Sequence, residues 1–185
     1  MRFVLLALLL GGCAILDRVP PAPPSYEAFP LERFYRVDDG LYVGGQPSPR
    51  QLEWMVERYQ LRTVVKLNPR WQGVDVVPPG VTLIERPIPA VFTPDGAEVR
   101  RILDDLDRAP RPIYLHCRTG ADRAGLIVAL YRLRHGATVE EAEREMVARG
   151  FRRYHGIELV WTRAIAERKR SIEIDRLVQS GSASR

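Results

Sequence analysis

The chain is expected to be an α/β protein with a largely parallel sheet. Three observations predict this. Short runs rich in β-branched residues recur at 62–68 (RTVVKLN), 81–89 (VTLIERPIP) and 113–116 (IYLH). Between them lie stretches long enough for helices, with apolar residues at three- and four-residue spacing. Strands that alternate with helical crossovers imply a layered fold with parallel pairing, since parallel neighbours cannot be joined by a tight hairpin.

The elements follow in order. Residues 34–48, FYRVDDGLYVGGQPS, hold two short strand-like pieces around an Asp-Gly turn. In SPRQLEWMVERYQL, Ser48 is placed to cap a helix with Pro49 at its first position. Leu52, Met55, Val56 and Tyr59 supply its apolar face. RTVVKLN reads as a buried strand, residues 69–80 as an irregular segment, and VTLIERPIP as a strand running into a turn. Thr93 is the expected N-cap of the next helix, with Pro94 and Asp95 at its first two positions. Val99, Ile102, Leu103 and Leu106 then face inward. The strand at 113–116 leads into a cysteine-containing loop and a helix from about 123 to 135. Thr138 caps another helix, with Glu141 as its capping-box partner. Residues 151–171 read as mostly helical.

The chain has 185 residues, 45% of them hydrophobic, which suits one compact domain with a sizeable core. Lysine and arginine total 28 against 23 acidic residues, a formal charge of +5. That excess helps attract anionic partners but does not specify nucleic acid. With no zinc-finger spacing and no isolated basic run, nucleic-acid binding is not the expected role.

At the N-terminus, Arg2 precedes an apolar run over residues 3–10. The run is too short to span a bilayer comfortably and has the form of a secretory signal. It ends in LLGGC, which resembles the lipobox of bacterial lipoproteins, although Gly11 is a less usual occupant of its position. The resemblance implies cleavage before Cys13 and lipid on Cys13. Residues 1–12 are thus expected as a signal peptide, 13–30 as a lipidated cysteine with the proline-rich tether VPPAPPSYEAFP, 31–176 as the folded domain and 177–185 as a flexible tail. The implied location is the bacterial cell envelope. Ala14, where an aspartate would otherwise direct retention, leans toward the periplasmic face of the outer membrane. An ordinary signal or a short membrane anchor is the alternative.

If Cys13 carries lipid, Cys117 is alone and no intrachain disulfide can form. Cys117 stands where IYLH hands over to the helical run LIVALYRLR. Gly120 and Gly125 permit tight backbone geometry there. Such a turn can aim successive N–H groups and a helix N-terminus at one anion. A lone cysteine can be no more than a small buried hydrophobe. Its company of Arg118, Thr119, Arg123 and two glycines points to chemistry instead.

The stretch HCRTGADRAG resembles the signature of cysteine-based protein tyrosine and dual-specificity phosphatases: His-Cys, five residues, Arg, then usually Ser or Thr and Gly. His116, Cys117, Arg123 and Gly125 match, while Ala124 replaces the hydroxyl residue. Upstream, LYVGGQPSPRQLEWMVERYQLRTVVKLN is similar to the opening strand-helix-strand unit of small bacterial and fungus-like dual-specificity phosphatases. The resemblance runs from about 41 to 150. It implies a three-layer protein tyrosine phosphatase-like fold, with a mostly parallel central sheet flanked by helices. It further implies Cys117 as nucleophile, and Arg118, Thr119, Gly120, Ala121, Asp122 and Arg123 as the phosphate cradle, with His116 and Gly125 ordering the loop. The activity implied is phosphate-monoester hydrolysis through a phosphocysteine, with no metal or cofactor. Its substrate would be a phosphorylated protein or a small anionic phosphoester.

The spacing makes chemical sense. A free thiol has a pKa of about 8.5, and backbone N–H groups, a helix N-terminus and Arg123 all favour its thiolate. The same groups suit a phosphate dianion, which the planar arginine fork holds by two oxygens. Two departures from the family pattern stand out. Ala124 cannot offer the cysteine sulfur the hydroxyl hydrogen bond that helps it leave, so a slow second step or a phosphate-binding pseudophosphatase stays open. The general acid is also open. Asp75 stands somewhat far from the cysteine, Glu85 falls in or beside a strand, and Asp95 follows the expected turn. Asp122, just before Arg123, has a counterpart in myotubularin-like lipid phosphatases. Asp95 and Asp122 are the two candidates carried forward. Arg118, Arg70, Arg86 and Arg152–Arg153 are candidates for a basic rim, which would suit an inositol polyphosphate or small metabolite as well as a phosphopeptide. Rhodanese and arsenate reductase are rival readings, but their cysteine placement differs.

Overall fold

The computed structural model describes residues 31–73, 75–89 and 94–152, with residues 162, 163, 166 and 167 further on. Cys13, the tether, Thr93 and most of the helix expected over 151–171 lie outside the described residues.

Strand β1 (Tyr35–Asp38) turns back on β2 (Leu41–Gly44) as an antiparallel pair. Helix α1 (Pro49–Tyr59) starts at Ser48, whose side chain accepts from the Gln51 N–H while the Gln51 side chain returns to the Ser48 N–H. Strand β3 (Thr63–Lys66), a 3-10 turn at Arg70–Gln72 and strand β4 (Thr82–Glu85) follow. Helix α2 (Gly96–Arg108) is capped by Asp95, not by Thr93 as the sequence suggested. Asp95 therefore precedes the helix instead of occupying its first turn, because its own carboxylate accepts the Ala97 N–H. Strand β5 (Ile113–His116) leads to helix α3 (Asp122–Arg134), and Thr138 with Glu141 forms the expected capping box of α4 (Val139–Ala148).

The sheet order is β1-β2-β5-β3-β4, and every pair but the first is parallel. The last strand in the sequence thus lies in the middle, between β2 and β3. Its carboxyl end opens where the chain's order doubles back, the place where open α/β sheets form crevices.

Alternation along the strands divides the core. Val64 and Tyr114 pack with Leu52 and Met55 of α1 on one face. Val65, Ile113 and Leu115 pack on the other with Ile102 and Leu106 of α2 and Leu126 and Ile127 of α3. The sheet is the middle of three layers. Helix α3 is apolar almost all round, and only Arg132 and Arg134 of its 13 residues escape burial. Arg132 then pairs with Glu145 of α4 at 3.0 Å.

Candidate active site

The loop joining β5 to α3 lies against the backbone of β2. Gly120 has φ +74, and a Cβ on it would stand 2.7 Å from the carbonyl carbon of Gly44. Backbone cannot yield as a side chain can, so glycine is required there on two counts. The Gln46 N–H donates to the Arg118 carbonyl at 3.0 Å, and Arg33 Nη1 donates to the Thr119 carbonyl at 3.1 Å. Gly125 does not shape the turn as expected. It lies within α3, where a Cβ would sit 3.7 Å from Met146 and Phe151, an ordinary contact.

Cys117 is buried at the foot of this loop. The helix behind it is distinctive. Ser48, Asp95 and Thr138 each cap their helices through a side chain, but Ala121 leads into α3 without a side-chain cap. The first N–H groups of a helix have no intrahelical partner, and here no side chain among the described residues takes them. They remain available to an anion at the head of the loop. Arg123, in the first turn, is 5% exposed. Its Nη2 donates to Gln72 Oε1 at 2.9 Å.

The candidate acids separate clearly. Both oxygens of Asp122 are engaged by Arg152, one by the backbone N–H at 2.8 Å and the other by Nη2 at 3.0 Å. Glu85 is held by Arg70 at 2.6 Å, and that hydrogen bond keeps its carboxyl below the usual range despite some desolvation. Asp75 is buried beneath the loop, with Oδ2 at 3.3 Å from both Lys66 Nζ and His116 Nε2 and Oδ1 accepting from Gln46 Nε2 at 2.6 Å. Burial pushes its carboxyl up, but His116, then Lys66 and the Gln46 amide, together hold it below its ordinary value. A carboxyl held low is a poor proton donor at neutral pH. Asp95 is exposed, and its carboxylate accepts from the Ala97 N–H of its own helix. Of the rim arginines, Arg70 and Arg86 are each paired, Arg86 with Asp105 at 2.8 Å, whereas Arg118 is exposed. Arg153 lies outside the described residues.

Sequence reading missed Gln46, Lys66 and Gln72. Lys66 is fully buried at the end of β3, donating to the Gly73 carbonyl as well as facing Asp75. The available signal was positional: KLNPRWQ follows a buried parallel strand, and such strand ends border the crevice.

Comparison with known proteins agrees with the geometry. The family model described as "DSP-PTPase phosphatase fused to NAD+ Kinase" matches residues 35–163. The dual-specificity protein phosphatase TpbA of Pseudomonas aeruginosa is 30% identical over 162 residues, covering 80% of this chain and 69% of that protein. A crystal structure of P. aeruginosa TpbA, in a cysteine-to-serine variant bound to pTyr, superposes with a TM-score of 0.55 at 29% identity, covering 64% of this chain and 75% of that one. The core catalytic domain of the S. cerevisiae PP-IP phosphatase SIW14, in complex with citrate, shares the fold at a TM-score of 0.62 and 20% identity, covering 80% of this chain and 95% of that one. The chain belongs to the dual-specificity and protein tyrosine phosphatase family and is a cysteine-based phosphatase.

Proposed function

We propose that this chain hydrolyses aryl phosphate monoesters, phosphotyrosine first among them, with Cys117 as nucleophile and no metal. The observation that carries this is the buried Cys117 in the loop that enters α3, whose N-terminus no side chain caps among the described residues, with Arg123 in the helix's first turn. The Cys117 thiolate attacks phosphorus as the P–O bond to the leaving group breaks. Loop N–H groups and Arg123 hold the nonbridging oxygens through the charge redistribution. Asp95 gives its proton to the departing oxygen. Water then attacks the S–P bond, Asp95 takes the water's proton, and the thiolate leaves with release of phosphate. Asp95 is favoured over Asp122 because Arg152 occupies both Asp122 oxygens. Pairing of Arg70 and Arg86 with carboxylates weakens the case for an inositol polyphosphate. The pTyr seen with TpbA supports an aryl ester.

The test is hydrolysis by the full chain, in chelator, of phosphate esters graded by leaving-group pKa. Cys117→Ser should abolish turnover. Asp95→Asn keeps a good N-cap, so the helix start survives. It should leave esters of acidic phenols nearly unchanged and slow phosphotyrosine by about a hundredfold, the usual scale of general acid catalysis. Full turnover in Cys117→Ser would end the mechanism. An equal loss across all leaving groups in Asp95→Asn would remove Asp95 as the acid.

A further inference from the structure

Outside the loop itself, one side chain among the described residues hydrogen-bonds to the catalytic arginine: Gln72, whose Oε1 accepts from Arg123 Nη2 at 2.9 Å across 51 positions of sequence. The amide's orientation follows from the contact, since an amide nitrogen would set N–H against N–H. Its Nε2 has no hydrogen-bond partner among the described residues.

The turn that carries Gln72 is short, and both its ends are anchored. Gln72 N–H donates to Pro69 at 2.9 Å and Gly73 N–H to Arg70 at 3.1 Å. The Gly73 carbonyl accepts from buried Lys66. Gly73 has φ +140, and a Cβ there would lie 2.7 Å from Gln46 Cδ, so the backbone is pressed onto that side chain. Gln46 also accepts from Asn68 Nδ2 at 2.9 Å and donates to Asp75 at 2.6 Å. The same Gln46 holds the cysteine loop through its own N–H. Thus the turn and the loop share one set of buried anchors. Between those anchors the turn itself is open to solvent, with Arg70 and Trp71 exposed and Gln72 half-buried.

We propose that Gln72 is a positioning residue for phosphoryl recognition: it fixes one edge of the Arg123 guanidinium so that the remaining donors form the fork for phosphate. This rests on the reading of Arg123 as the phosphate ligand. A guanidinium offers five N–H donors, and a bidentate phosphate takes two, so one bond to Gln72 leaves the fork intact. The opposite role would be a plug, with Oε1 holding a place that phosphate must take. The donor count and the neutrality of the amide argue for positioning, since a dianion wins readily over an amide for any donor they contest.

The experiment uses the full chain, with inorganic phosphate as a competitive inhibitor of aryl phosphate turnover. Gln72→Met keeps length and removes the acceptor. It should raise the phosphate inhibition constant about tenfold and lower kcat/KM by a similar factor, the scale of one hydrogen bond to a charged group. The thermal midpoint should hold, because Gln72 is half-buried in a turn open to solvent. Arg123→Ala is the reference. Weak phosphate binding in Arg123→Ala with wild-type binding in Gln72→Met would overturn the role of Gln72 alone. Tighter phosphate binding in Gln72→Met would identify a plug and overturn positioning. Wild-type phosphate binding in Arg123→Ala would overturn the active-site reading and this inference with it.

Discussion

At the scale of one residue, Ala124 is expected to set which step of the reaction is slow. It is fully buried, in the same apolar cluster as Cys117. Where the family usually offers a hydroxyl to the departing thiolate, this position offers a methyl group. Breakdown of the phosphocysteine should therefore be the slow step. Rapid mixing of the chain with an activated aryl phosphate should release a burst of phenol close to one per site, then turn over more slowly. Ala124→Ser should raise the steady rate about tenfold, equivalent to about 1.4 kcal/mol in the second barrier. The burst rate should hardly change, since formation of the S–P bond does not need that hydroxyl. A linear time course, together with an unchanged steady rate in Ala124→Ser, would mean that Thr119 or a water already serves.

At the scale of the element, the β3–β4 connection carries Gln72 to Arg123 and Asp75 to His116, the residue before Cys117. Lys66 and Asp75 are an ion pair with almost no exposed side chain, and His116 shares the carboxylate from the strand that delivers Cys117. His116 also stacks on Tyr114 at 5.3 Å, on the α1 face of the sheet. Buried charges are costly unless paired, so each member fixes the others in place. The pair also sets an acid response. Asp75 titrates below its ordinary value in the fold and returns to about 3.9 in the unfolded chain. Its contribution is complete above that pH and fades as pH falls through the lower folded value. Asp75→Asn should cost about 3 kcal/mol near neutrality by leaving Lys66 without an anion. Its thermal midpoint should then fall less steeply below about pH 4 than that of the parent. Parallel midpoint curves for the two chains would remove Asp75 from the acid response.

Local signals were legible from sequence where the chemistry was local. Thr138 with Glu141 is a capping box written within four residues and forms as read, and Ser48 caps α1 as read, with Gln51 completing a box that the sequence reading had not named. Thr93 and Asp95 are two cap-forming residues two positions apart, each followed by a plausible helix start, and pattern alone does not choose between them. The loop from His116 to Arg123 was legible because one stretch of chain carries nucleophile, glycine turn and arginine together. Gln72 on Arg123 and Asp75 beneath His116 were not, since each pairing joins segments that meet only when β5 inserts between β2 and β3. The engagement of Asp122 by Arg152 was hidden for the same reason: helix α3, the turn after it and α4 intervene.

At the scale of the whole molecule, 28 basic side chains face 23 acidic ones, and several of them stand in ion pairs. Arg111 with Asp38, Arg132 with Glu145, and Arg134 with Asp104 and Asp107 bind α2, α3, α4 and β1 to one another. Such surface pairs are worth little each, so they shape the field around the protein more than its stability. The mild surplus is not itself a strong membrane signal, so any attachment to a membrane needs another source. We propose that it comes from lipid on Cys13, with the proline-rich stretch at 19–30 as a stiff spacer between bilayer and domain. A single acyl chain binds only reversibly, whereas the several chains of a lipoprotein cysteine give a stable anchor. Mass spectrometry of the mature protein from the membrane fraction of its native host should find an N-terminal Cys13 carrying lipid. Cys13→Ser should release the protein from that fraction while kcat/KM on an aryl phosphate holds, because the anchor and the loop at Cys117 are separate chemistry. A mature N-terminus elsewhere, with no lipid mass, would reject the anchor and leave the phosphatase intact. Loss of activity in the released Cys13→Ser chain would instead show that membrane attachment supports the active site itself.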